Sequence, residues 1–235
     1  MKAVIQAGGR GSRLRPYTLV LPKPLMPVGG QPVIELLLKW LRRNGIVDIY
    51  LTIGYLGHLI KALCGDGRQW DMKINYSEEL EPLGTVGPLK LIESDLDEPF
   101  LMLNGDLISD IELRNFINFH MHHKGLLSVA ATRKNIKIDL GVIEINDGRA
   151  IGFKEKPLLQ YPVSMGIYCM DPAILDLIPK GVPFGFDDLM YLMLDKKLPV
   201  YVYEHNGIWM DIGREEDYLK AQEVCAHNSK AILGT

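Results

Sequence analysis

The sequence predicts an α/β fold built on a doubly wound, mostly parallel sheet. Three observations predict it. Strand-like and helix-like segments alternate through the first half of the chain. A short buried strand, Ala3-Val4-Ile5, opens directly into the glycine-rich run Gly8-Gly9-Arg10-Gly11-Ser12-Arg13. A second apolar strand ends in Asn104-Gly105-Asp106, and in open parallel sheets ligands bind beyond strand ends of this kind.

The elements follow in order. Gln31 to Asn44 has apolar residues at Val33, Ile34, Leu37, Leu38 and Leu41, the spacing of a helix face, and Gly45 ends it. Asp48 to Ile53 reads as a buried strand. Leu56 to Cys64 reads as a short helix closed by Gly65-Asp66-Gly67. Lys73 to Tyr76 is a strand, Thr85 to Glu93 a helix, and Pro99 to Asn104 a strand. Alternation at this spacing argues for a parallel sheet with helices on both faces. The second half is richer in strands: Leu127 to Thr132, Gly141 to Ile145 leading into an Asn146-Asp147-Gly148 turn, Ile151 to Glu155, Ser164 to Met170 and Pro199 to Glu204. Pro172 to Ile178, Phe186 to Leu194 and Glu215 to His227 read as helices. His120, His122 and His123 are expected on a solvated helix end.

Composition bounds the rest. The chain has 235 residues, 47% hydrophobic and 23% charged, which suffices for one large α/β domain with a substantial core. Net charge is −3, so no electrostatic footprint for nucleic acid or an anionic membrane is present. No apolar run approaches a membrane span, and Met1-Lys2 runs straight into a core strand, so no leader is expected. Cys64, Cys169 and Cys225 are scattered and without paired spacing. They read as reduced, non-catalytic thiols of a cytoplasmic protein. No linker, internal repeat or hexapeptide repeat occurs in the sequence. A single domain over 1–235 is expected; no oligomeric state follows.

Glycines at 8, 9 and 11 let backbone N–H groups turn inward and approach an anion closely. Arg10, Arg13, Arg15 and Lys23 add cations nearby. This is not a Walker loop, because no Gly-Lys-Ser/Thr closes it. It is not a dinucleotide fingerprint either: Leu14 stands where a third glycine belongs and Pro16 interrupts any helix. Asp106 suits a turn, or an Mg²⁺ ion held by one or two carboxylates plus phosphate oxygens. Asp211, in Trp209-Met210-Asp211-Ile212-Gly213, suits a helix N-cap or a ligand role.

The glycine run joins Arg13, Leu14, Pro16, Thr18 and Pro22-Lys23-Pro24-Leu25-Met26-Pro27. The combination resembles the signature of the sugar-1-phosphate nucleotidylyltransferases, or nucleotide-sugar pyrophosphorylases, and further matches run almost to the C-terminus. The resemblance implies a Rossmann-like fold of the nucleotidyltransferase A type with a sugar-facing subdomain, residues 1–110 forming the nucleotide-binding half and 111–235 the sugar-binding half with the C-terminal helix. It implies transfer of a nucleotidyl group from an NTP to a sugar 1-phosphate, giving NDP-sugar and pyrophosphate. Arg13 and Lys23 would be catalytic. Gln6, Ala7, Gly8, Gly9, Gly11, Ser12, Glu79, Gly84 and Thr85 would bind the nucleotide. Asn104, Gly141, Glu155, Lys156 and Ser164 would bind the sugar. Asp106 and Asp211 would hold Mg²⁺.

Glu78 to Gly87 resembles the family's base-recognition loop, and Glu79 falls where thymidylyl and uridylyl members often carry glutamine. A carboxylate only accepts, and guanine offers two adjacent donors. This favours GTP, with resemblance closest to mannose-, heptose- or hexosamine-1-phosphate guanylyltransferases. The alternatives are a uridylyltransferase acting on an amino-sugar 1-phosphate, a cytidylyltransferase for a phosphorylated alcohol, and a non-catalytic nucleotide-sugar sensor. Two departures from the family pattern stand out: Ser164 replaces a common asparagine, and Gln6 replaces a common leucine.

Overall fold

The computed structural model describes residues 1–227, so the last residues of the expected domain, 228–235, lie outside the described residues. The strands are β1 (Lys2–Gln6), β2 (Pro27–Val28), β3 (Gln31–Pro32), β4 (Asp48–Ile53), β5 (Lys73–Glu78), β6 (Phe100–Asn104), β7 (Leu107–Ser109), β8 (Leu127–Lys137), β9 (Val142–Asn146), β10 (Arg149–Lys154), β11 (Leu158–Met170), β12 (Val200–Glu204) and β13 (Trp209–Asp211). The α-helices are α1 (Val33–Arg43), α2 (Gly57–Cys64), α3 (Leu113–His123), α4 (Phe186–Asp195) and α5 (Glu215–His227). Seven strands form the main sheet in the order β12-β8-β11-β6-β1-β4-β5. Pairing is parallel except where β11 runs antiparallel between β8 and β6. The expected mostly parallel α/β architecture is therefore the one observed.

The doubly wound character is visible residue by residue. Side chains alternate across a strand, and here each set enters a different core. Ala3 and Ile5 join Leu101, Leu103, Ile167 and Cys169 under α1, α2 and α3. Val4 joins Phe100, Met102, Tyr168 and Met170 beneath α4 and the short 3-10 turns on the opposite face. A third cluster packs α5, through Ala221 and Cys225, on Val33 and Leu36 of α1. Both halves of the chain contribute to the first two clusters, because β6 and β11 are adjacent in the sheet.

Several boundaries differ from expectation for identifiable reasons. The first helix begins at Val33 rather than Gln31, because Pro32 is extended and the Gln31–Pro32 pair forms a ladder with Pro27–Val28. Residues 85–93 form 3-10 turns, not an α-helix. Pro88 lacks a donor, and the N–H groups of Val86 and Gly87 both donate to Phe184 O at 3.0 Å instead of starting a helical ladder. Pro172–Leu177 is likewise 3-10. The strands β8 and β11 extend as far as Lys137 and back to Leu158, because the ladder continues where both faces meet solvent and the hydrophobic signal fades. Beyond them, β9 and β10 pair as a two-stranded ribbon, and Ile143, Ile145, Ile151 and Phe153 stay 54–70% exposed on it.

The helix α3 carries the three histidines at its end, but they are not all solvated. His120 is 2% exposed and its Nδ1 lies 2.9 Å from Ser128 Oγ. Leu113, Phe116 and His120 form the buried face, so one histidine occupies a core position. Burial holds the His120 pKa below its ordinary value near 6.5, against a smaller opposing pull from Asp171. The folded protein keeps the ring neutral while the unfolded chain protonates it, so this contribution to stability is complete above pH 6.5 and falls as pH drops toward the folded value. The urea midpoint is expected to fall between about pH 7.5 and about pH 5.5 more steeply in wild type than in His120→Gln. Equal slopes in the two proteins would refute that assignment.

All three cysteines are buried free thiols. Burial pushes Cys64 and Cys169 up to about 12, which keeps both as inert thiols at neutral pH.

Candidate active site

The sheet order reverses at β1. From β1 the chain proceeds outward to β4 and β5, then returns to place β6 on the other side. The carboxyl ends of three parallel strands therefore meet, with Gln6 opposite Thr52 of β4 and Asn104 of β6. This is where an open α/β sheet forms its ligand crevice. A cavity of about 400 Å³ opens there.

All of the predicted nucleotide residues line it: Gln6, Ala7, Gly8, Gly9, Gly11, Ser12, Glu79, Gly84 and Thr85. Arg13, Lys23, Asn104 and Asp106 line it as well. Two of the loop glycines have a geometric reason. Gly11 sits at φ +58°, and a Cβ there would stand 2.9 Å from Thr18 Cγ2. On Gly8 a Cβ would stand 2.5 Å from Glu79 Oε1. Beyond its chain neighbours nothing lies within 4 Å of a Cβ built on Gly9, so this part of the cavity wall is open.

The Glu79 loop closes the cavity from the β5 side. Its carboxylate is half-buried, and Oε2 accepts from the Leu83 N–H at 2.9 Å. Burial raises the Glu79 pKa and the Leu83 bond opposes the rise. Gly84 sits at φ +82° with its α-carbon pressed on the Phe184 backbone, so a Cβ would stand 2.6 Å from Phe184 O. Thr85 Oγ1 accepts from the Phe186 N–H at 2.8 Å, tying the loop to the start of α4.

Lys23 lies in a short 3-10 turn between two prolines, and its ammonium pairs with the Asp106 carboxylate. Asp106 leaves β6 at a turn, and β7 follows at once. The partner of β7 is β13, with Asp211 opposite Leu107 and the Ile212 N–H donating to Asp106 O at 3.1 Å. This small antiparallel ladder brings the two aspartates together. Burial is the main cause of a raised Asp211 pKa, the Asp106 charge adds to it, and Lys23 opposes it. Asp211 is not a cap in the sense its position allowed: no side-chain cap bond to α5 is formed among the hydrogen bonds of that segment, and its carboxylate stands 3.3 Å from a Cβ built on Gly213. Asp106, paired with Lys23, and Asp211 form two partly buried carboxylates of the donor type that Mg²⁺ takes. Among the described residues no cluster of three or more His, Cys, Asp or Glu is arranged to hold a metal, so further ligands would come from phosphate or water.

The predicted sugar residues divide. Asn104 lines the cavity, with its amide over Gly166 at φ +71°. Ser164 Oγ donates to the Tyr168 hydroxyl at 3.1 Å and accepts from the Gly166 N–H. Gly141, Glu155 and Lys156 are on the ribbon and its connections, and Lys156 Nζ pairs with Asp139 at 3.1 Å. None of these four lines the main cavity. Asp211 instead borders a second cavity of about 360 Å³, with Trp209, Lys134 and Lys220 among its walls. Trp209 is held by its indole N–H, which donates to Met165 O at 2.7 Å. Sequence reasoning missed the two lysines, since each reads as an ordinary solvated cation.

The model of a family described as "Nucleotidyl transferase" matches residues 2–228. The chain belongs to the nucleotidyl transferase family. Within that family it is 35% identical over 228 residues to a mannose-1-phosphate guanyltransferase of Kluyveromyces lactis, covering 93% of this chain and 63% of the relative. It is 36% identical over 228 residues to the enzyme of that name from Aspergillus oryzae, with 93% and 62% covered. The chain thus spans under two thirds of the length of these relatives. Among solved structures it resembles a Bacillus anthracis protein described as a glucose-1-phosphate thymidylyltransferase, at 26% identity and TM-score 0.75, covering 95% of this chain and 94% of that one. HddC from Yersinia pseudotuberculosis, solved with GMP-PN, shares the fold at 24% identity and TM-score 0.75, with 95% and 98% covered.

Proposed function

We propose that this nucleotidyl transferase carries a guanylyl group from GTP to a sugar 1-phosphate and releases pyrophosphate. The observation that carries the reading is the convergence, on one cavity, of the glycine loop, Arg13, the Lys23–Asp106 pair and the Glu79 loop. The names of the relatives, mannose-1-phosphate guanyltransferases, support GTP and a hexose 1-phosphate.

The chemistry asks for no general base. The attacking sugar phosphate oxygen is already an anion at neutral pH, so the barrier lies in anion–anion repulsion and alignment. Loop N–H groups at 8–12 would hold the triphosphate, and Arg13 would meet the β- and γ-phosphates and the charge developing on the leaving pyrophosphate. Lys23 would bridge the α-phosphate and the incoming phosphate. Lys156, in the connection between β10 and β11, would neutralise the sugar phosphate, and Glu155 would accept from sugar hydroxyls. Asp106 and Asp211 would hold Mg²⁺, which when bound supplies positive charge to the phosphates. Net charge and the absence, among the described residues, of a helix long and apolar enough to cross a membrane support small-molecule substrates as the partners. Reduced thiols support a cytoplasmic setting.

The test is pyrophosphate release with GTP, UTP, dTTP, CTP and ATP against a panel of sugar 1-phosphates with Mg²⁺. Turnover of GTP with one sugar is expected. Turnover of UTP alone would replace the guanylyl reading with the uridylyl one. No turnover from folded protein would favour a nucleotide-sugar sensor. Within this reading, Gly84→Ala is expected to raise the KM for GTP roughly tenfold or more, since a side chain at positive φ also meets Phe184 O. An unchanged KM would show that the loop's position does not matter for the nucleotide.

A further inference from the structure

Gln6 lines the cavity and carries an unusual group. Among the described residues, its Nε2 is the one buried side-chain nitrogen or oxygen without a hydrogen-bond partner. The other end of the amide is fixed: Oε1 accepts from Thr52 Oγ1 at 2.7 Å, and Thr52 is fully buried on β4. The strand register sets Gln6 between Thr52 and Asn104, at the cavity wall that Glu79 also lines. An unpaired buried donor costs stability. Bulk water does not touch Nε2 in this arrangement, so a ligand in the cavity that Gln6 lines pairs with it as the side chain shifts toward that cavity.

We propose that Gln6 is a specificity-determining residue whose Nε2 donates to the O6 carbonyl of guanine, while the Glu79 carboxylate accepts from N1–H and N2–H₂. This rests on the GTP reading above. Guanine presents one acceptor and two donors along its pairing edge, and Gln6 with Glu79 presents the complement. Adenine would set its amino donor against Nε2. Uracil and cytosine would each set a carbonyl oxygen against the carboxylate. A leucine at position 6 could not contribute to such a choice.

The experiment compares kcat/KM for GTP, 6-thio-GTP and ITP in wild type, Gln6→Leu and Gln6→Glu, with urea midpoints as a check on folding. The sulfur analogue chiefly weakens the acceptor at position 6, and ITP removes the 2-amino donor. Wild type is expected to prefer GTP over 6-thio-GTP by roughly tenfold. Gln6→Leu is expected to lose that preference while still favouring GTP over ITP. Gln6→Glu retains an acceptor for Thr52 and is expected to lose more GTP activity than Gln6→Leu. An unchanged GTP to 6-thio-GTP ratio in both variants, or an equal loss with every nucleotide, would overturn the assignment and point to a ribose or phosphate contact. If wild type uses another nucleotide and not GTP, the guanylyl reading itself falls, and that result appears before any variant is compared.

Discussion

Asp106→Asn is expected to lower kcat by about 10³-fold, the scale seen when a preorganised electrostatic group is removed from a site of phosphoryl or acyl chemistry. Asparagine keeps the shape of the side chain and removes its charge. Lys23 then loses the carboxylate with which it pairs, and the pair of aspartates that could hold Mg²⁺ is reduced to Asp211. The fold should persist, because the Asp106 backbone carbonyl, not its side chain, accepts from Ile212 and joins β7 to β13. Rates over a range of Mg²⁺ concentrations, with a thermal midpoint alongside, test this. A rate near wild type in the folded variant would remove Asp106 from the chemistry. Recovery at high Mg²⁺ would instead assign it to ion affinity alone.

Arg13→Ala is the second large effect, about 10²- to 10³-fold on kcat. Arg13 is exposed at the cavity rim on the glycine loop, and the adjacent Leu14, 1% exposed, anchors the loop to the core. Truncation should therefore spare stability and act on charge. Lysine restores a point charge without the planar fork, so Arg13→Lys should recover part of the rate. If alanine and lysine variants are equally slow, geometry rather than charge is what Arg13 supplies. If the alanine variant is near wild type, the leaving pyrophosphate is stabilised elsewhere.

Much of this site was legible before any fold was available, because its parts are local. The loop at 8–13, the Lys23 turn and the segment 79–85 are each contiguous, and glycine or proline spacing constrains backbone conformation within a few residues. All of them meet at one cavity. Strand alternation was legible for the same reason: Val4 and Ile5 have opposite destinations whatever the topology. Legibility failed where local pattern and tertiary environment part company. His120 reads as polar and is a core residue, since Ser128 pairs with its ring. Residues 85–93 read as helical and are held in 3-10 turns by Phe184. The strands β7 and β13 are three residues each, too short to announce themselves, yet they join the two aspartates.

The sequence by itself determined the α/β class, the glycine-rich N-terminal loop and most of the residues that line the main cavity, because these depend on periodicity and on backbone freedom over short spans. Tertiary structure alone decided that β1 is the point where the sheet reverses, that Asp211 lies beside Asp106, that Gly141, Glu155, Lys156 and Ser164 stand away from the main cavity, and that the Gln6 amide is fixed at one end and free at the other. Those outcomes depend on which distant segments pack together, and long-range packing is set by the summed burial of the whole chain rather than by any short stretch of it.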